Sequence, residues 1–170
     1  PRTNTIPIEH TLVLETDGSL VYVPDANFNG EDGFTYEAWD GADRSEATRV
    51  TLTIAAVNDA PTPALDGPTS GTEGSELTFD AGASTDVDGD NLSYRWDFNG
   101  DGEWDTPSQS LPMASHVWAD EFDGSVVVEV SDGKEAATAS LPLRIANVPP
   151  RAEGESYRTD EDTPLSVSQP

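Results

Sequence analysis

Apolar and polar residues alternate in short runs along almost the whole chain, and each run is soon cut by Gly, Asp, Asn or Pro. A period of two puts successive side chains on opposite faces of an extended strand. In Ser19-Leu20-Val21-Tyr22-Val23-Pro24, Leu20 and Tyr22 share one face. In Phe34-Thr35-Tyr36-Glu37-Ala38 the two aromatic residues point together, and over residues 49–54 Val50, Leu52 and Ile54 face inward. Further along, Leu77 alternates with Phe79, and Tyr94, Trp96 and Phe98 alternate with Ser93, Arg95 and Asp97. Val126, Val128 and Val130 alternate with Val127 and Glu129. Leu141, Leu143 and Ile145 form a last strand, with Pro142 on its outer side as suits a sheet edge. Turn signals at roughly 8–12-residue spacing predict an all-β chain of sandwiches.

Two proline-rich breaks divide the pattern. Val57-Asn58-Asp59-Ala60-Pro61-Thr62-Pro63 is short and stiff, so it holds its flanking modules within a limited range of angles. Asn147-Val148-Pro149-Pro150 makes the second break. The expected units are residues 1–60, 61–149 and 150–170.

The chain carries 33 Asp and Glu against 8 Lys and Arg, a formal net charge of −25, and Lys134 is its one lysine. Such acidity repels nucleic acid and anionic membranes and favours cations, basic partners or water. High charge with low hydrophobicity is also a mark of disorder. The ordered alternation of four Trp, four Tyr and five Phe speaks against that reading. With no cysteine, disulfides, thiolate metal sites and cysteine nucleophiles are excluded, and metal is the remaining staple for small modules. No run is long and apolar enough to span a bilayer, and no signal-peptide pattern is present. The opening Pro1-Arg2-Thr3 reads as an excerpt from something longer.

Residues 18–61 resemble the C-terminal half of bacterial cadherin-like adhesin repeats. The likeness rests on Asp17-Gly18-Ser19-Leu20-Val21-Tyr22-Val23-Pro24, on Asn27-Phe28-Asn29-Gly30-Glu31-Asp32-Gly33-Phe34-Thr35-Tyr36, and on Val57-Asn58-Asp59-Ala60-Pro61. Residues 151–170 resemble the opening of the same kind of repeat, through Ser156-Tyr157-Arg158-Thr159-Asp160-Glu161-Asp162-Thr163-Pro164-Leu165. Between them, residues 62–148 resemble a polycystic-kidney-disease (PKD) type domain. Its usual Trp-Asp-Phe-Gly-Asp-Gly reads Trp96-Asp97-Phe98-Asn99-Gly100-Asp101-Gly102 here; His116-Val117-Trp118 and the run from Val126 to Asp132-Gly133 also match. These resemblances imply tandem immunoglobulin-like and cadherin-like β-sandwiches in a secreted or cell-surface protein. The implied role is structural or adhesive, with neighbouring repeats, other copies of the chain, or cell-surface glycans or proteins as partners.

Seven acidic residues fall within residues 86–105, against one cation, Arg95. Hard cations such as Ca²⁺ take six to eight oxygen ligands. Asp97, Asn99 and Asp101, with Gly102 for the bend and Glu103 and Asp105 beyond, copy the first half of an EF-hand loop. The copy fails at the twelfth position, which is Ser108. Asp86, Asp88 and Asp90 form a second alternating acidic loop, a possible partner of the first. Asn58-Asp59 resembles the calcium-stiffened linkers of cadherins. Ordinary Asp- and Asn-rich turns account for the same residues.

No Gly-x-Ser-x-Gly elbow or phosphate loop appears, and His116 sits on an alternating strand where packing explains it. The reading is therefore non-enzymatic. A carbohydrate-binding module is the alternative, with Trp39, Trp104 and Trp118 as candidate stacking platforms. Trp104, after a glycine-rich loop, is the foremost of them, whereas Trp96 and Trp118 suit a core. Residues 150–170 are also candidates to complete the head of another copy by strand addition; a cut from a continuous array explains the same ends.

Overall fold

The computed structural model describes residues 10–15 and 19–151, together with Arg158, Asp162 and Pro164. The opening strand expected within residues 150–170 lies largely outside these. Among the described residues there are ten strands and no helix. They are β1 (His10–Leu14), β2 (Leu20–Pro24), β3 (Gly30–Tyr36), β4 (Thr48–Ile54), β5 (Ser70–Thr72), β6 (Glu76–Asp80), β7 (Ser93–Asp97), β8 (Met113–Val117), β9 (Phe122–Ser131) and β10 (Ala136–Ala146).

In the N-terminal region, β1 pairs antiparallel with β2 and β3 with β4, setting Leu12 against Tyr22 and Phe34 against Val50. Val50, Leu52 and Ile54 are half-buried while Arg49, Thr51 and Thr53 are exposed, as the alternation requires. The Tyr22 hydroxyl donates to Asp32 Oδ2 at 2.9 Å and ties the two ribbons together. Gly33 is needed for close approach, because a Cβ there would collide with the Val50 carbonyl oxygen. Among the described residues before Pro61, no side chain is fully buried.

The C-terminal region is a sandwich. One sheet runs β5-β10-β9-β7 and the other is β6-β8. Thr62 pairs with Thr85 and Asp66 with Asp80 beside β6; the chain then crosses to the other sheet, where β5 runs parallel to β10. Gly67 permits that crossing, since a Cβ there would meet the Phe79 ring at 2.5 Å. Phe79, Trp96, Phe98, Trp118, Val126, Val128, Val130, Leu143 and Ile145 fill the space between the sheets. Trp96 and Phe98 stack with centroids 6.1 Å apart, and Phe79 meets Trp118 edge-on at 6.1 Å. Burying rings of this size dominates the energetics of a core. The sequence expectation for Pro142 needs one correction. Strand β10 is internal to its sheet where β5 flanks residues 144–146. Pro142 itself pairs only with Ser125 of β9, so its missing N–H interrupts no second ladder.

Candidate functional site

The linker and two loops meet at one pole of the sandwich. Asn58 Nδ2 donates to Asp132 Oδ2 at 2.8 Å, with Glu135 Oε2 at 3.4 Å. The Lys134 ammonium donates to Asn58 Oδ1 at 3.0 Å and to Asp90 Oδ2 at 2.8 Å. The Asp59 N–H donates to Asp88 Oδ2 at 2.9 Å. Beneath them, Asp86 Oδ1 accepts the N–H groups of Asp88 and Asp90, and its Oδ2 is buried without a hydrogen-bond partner. Backbone N–H donation from Glu135, then Asn58 and the Lys134 N–H, holds the Asp132 carboxyl down to about 2. The hydrogen bond to Asp90 pushes the Lys134 ammonium up. The linker is thus fixed by hydrogen bonds as well as by proline, and Pro61 is buried against the sandwich.

The loop of residues 97–105 lies at the other end of β7. The five residues of β7 separate the two acidic loops by about 13 Å of strand. They therefore do not act as partners around one ion, which corrects that expectation. Asp97 is 2 % exposed although the alternation sets it outward. Its Oδ1 accepts the N–H groups of Asn99 (3.2 Å) and Gly100 (2.6 Å), and its Oδ2 that of Gly102 (2.9 Å). Asp101 Oδ1 accepts from Glu103 N–H, its Oδ2 accepts from Asn99 Nδ2, and Asp105 Oδ2 accepts from Phe98 N–H at 2.6 Å. Gly100 and Gly102 supply the positive φ values, 69° and 92°, that this turn needs. The loop's oxygens are largely spent on its own backbone. Among the described residues, no three His, Asp or Glu side chains are gathered into a metal-binding group as they stand.

A family model described as PKD domain matches residues 58–146, more than half of the chain. The chain belongs to the PKD domain family. A model for a cadherin-like domain matches residues 4–55, so a cadherin-like domain precedes the PKD domain. Both kinds of domain are typically non-catalytic structural modules of extracellular proteins. Solved structures with some similarity include a carbohydrate-binding module of the β-sandwich superfamily (22 % identity, TM-score 0.48, covering 54 % of this chain and 36 % of that one). Another is a nucleoside hydrolase-related hypothetical protein from Saccharophagus degradans (21 %, 0.40, 55 % and 26 %). A third is extracellular domains 3–5 of Drosophila OTK (13 %, 0.46, 79 % and 46 %). The chain thus spans less than half the length of each. No helix among the described residues is long and apolar enough to cross a membrane.

Within the PKD domain, Trp104 is not the free ring expected of it. It is half-buried, with the Arg95 guanidinium 4.4 Å from its ring centroid. Arg95 is itself held across β7 and β9 by two bonds to Glu129, at 2.6 and 2.8 Å. His116 stacks on Phe98 at 4.6 Å and meets Trp118 edge-on at 4.5 Å, which is a packing role. The exposed indole belongs to the cadherin-like domain, where Trp39 is 61 % exposed. At the junction, sequence reasoning singled out Asn58, Asp59, Asp86, Asp88 and Asp90 but missed Asp132, Lys134 and Glu135. The one available signal was that Lys134 is the chain's sole lysine.

Proposed function

We propose that this chain is a calcium-stabilised structural and adhesive segment of a large secreted or cell-surface tandem-repeat protein. It is divided at residues 1–60, 61–149 and 150–170, and performs no catalysis of its own. The observation that carries this reading is the bonded junction, where Asn58 and Asp59 are anchored to Asp88, Asp132 and Lys134. A spacer that transmits force or presents an adhesive face needs such a fixed joint, because free hinges dissipate orientation.

The junction differs from the loop of residues 97–105 in keeping one buried carboxylate oxygen, Asp86 Oδ2, without a partner. Asp86, Asp88, Asp90, Asn58 and Asp59 would hold calcium there, and the partnerless Asp86 Oδ2 is a ligand such an ion would satisfy. An ion would take over existing bonds in both places: at the junction those to backbone N–H groups and to the Lys134 ammonium, and in the second loop, where Asp97, Asn99, Asp101, Glu103 and Asp105 are the candidates, those to backbone N–H groups. When bound, calcium supplies positive charge that offsets carboxylate repulsion. Thermal melts test this. Calcium at about 100 times its Kd adds about 2.7 kcal/mol if it binds only the native chain. The expected result is a higher Tm in millimolar Ca²⁺ than in excess chelator, and an unchanged transition overturns it. Asp88→Asn is expected to abolish more of that shift than Asp101→Asn.

Head-to-tail completion by residues 150–170 is the finer part of the same reading. A chain that sediments as a monomer across a concentration series removes it. A carbohydrate-binding module is the second reading, favoured by the exposure of Trp39.

A further inference from the structure

We propose that the turn at residues 38–45 is a binding site for a neutral glycan, with a pyranose ring stacked on the exposed face of Trp39. This rests on the second reading above and names its site.

Trp39 is the most exposed of the four tryptophans. It lies outside the hydrophobic core, and its 61 % exposure leaves a large apolar surface in water. The turn that carries it is nonetheless tightly built. Trp39 pairs with Arg44, and Ser45 N–H donates to the Ala38 carbonyl at 2.9 Å while Ala38 N–H donates back to Ser45 Oγ at 2.9 Å. Asp40 Oδ1 accepts the N–H groups of Ala42 and Asp43, each at 2.9 Å, and these bonds hold its carboxyl below the usual range. Arg44 is braced by Glu37 at 3.0 Å. An aromatic ring presented by a pre-formed turn loses little freedom on binding, which is what makes it an effective anchor.

Beside the ring is an open cavity of about 340 Å³, lined by Ala38, Trp39, Asp40, Asp43, Arg44 and Ser45. That size suits a small ligand. The indole face is electron-rich and attracts the C–H face of a sugar ring, which is apolar and carries partial positive charge. Sugar hydroxyls need both donors and acceptors nearby. The exposed Asp43 carboxylate is not used by the turn, and Arg44 has N–H groups beyond the one bonded to Glu37. The net charge of −25 repels anionic polysaccharides and so points to a neutral chain of hexoses or N-acetylhexosamines.

Titration calorimetry of the full chain with maltohexaose, cellohexaose and chitohexaose tests the site. At least one is expected to bind, and Trp39→Ala is expected to weaken that binding roughly tenfold or more, the scale of one aromatic contact. Trp39→Phe should retain part of the affinity and Trp104→Ala all of it. Because Trp39 is exposed, its variants should melt with the wild type. Absence of binding by all three sugars, equal binding by Trp39→Ala, or a loss centred on Trp104 overturns the proposal. Melts of the same samples with calcium and with chelator read the calcium proposal separately, so either can fail alone.

Discussion

The two halves of this chain share one strand grammar and differ in what it encloses. In the PKD domain, β6 and β8 close over the four-stranded sheet, and side chains from Phe79 to Ile145 are shut away from water. In the cadherin-like region, two ribbons show the same alternation, yet none of their described side chains is fully buried. Val13, Leu20, Val21 and Val23 are exposed there. Isolated two-stranded ribbons are marginal in water, whereas a closed sandwich has a core of its own. Alternation thus fixes which face a residue occupies but not whether anything covers that face.

Core truncation should break the comparison most visibly. Trp96→Ala is expected to cost about 3–5 kcal/mol, as large-to-small changes in a closed core do. Leu52→Ala, at a half-buried site, is expected to cost about 1 kcal/mol. Urea unfolding measures both, and equal costs would show that the cadherin-like region carries a comparable core.

A smaller effect should appear where the halves join. Lys134→Gln leaves Asn58 and Asp90 without their shared cation, and Asn58→Ala removes the bond to Asp132. Both variants are expected to be cut severalfold faster by protease within residues 55–60, with little change in the unfolding of the PKD domain. Unchanged cleavage would mean that proline alone stiffens the linker.

The smallest effect is a pH dependence. Asp132 titrates at about 2 in the fold against an ordinary 3.8, so its bonds stabilise the junction above pH 4. That contribution is lost as pH falls through about 2, because the unfolded chain takes up the proton first. Linker cleavage by an acid-active protease should therefore rise between pH 4 and 2. Asp132→Asn should remove that component of the rise; an identical profile in the variant would assign it to other carboxylates.

Much of this was legible in the sequence. The strands at residues 48–54, 93–97 and 122–131 follow from alternation, since a period of two has one structural solution. The break at residues 57–63 follows from proline chemistry. The PKD core was readable too: Trp96 and Trp118 fall where the pattern sets them inward. The site was less legible, because its parts are local in sequence only one loop at a time. Asp97 looked like a cation ligand and lies buried under three N–H groups of its own loop. Trp104 looked free and lies against Arg95.

By itself the sequence determined the strand period, the stiff joint, the absence of any disulfide and the surplus of negative charge. These are properties of neighbouring residues and of composition. Only the tertiary structure decided which acidic loops share a pole, that Lys134 enters the junction, and that Trp39 remains outside. Each of these depends on how segments far apart in the chain meet, as when the sandwich brings residue 58 to residue 132, and no local pattern encodes that.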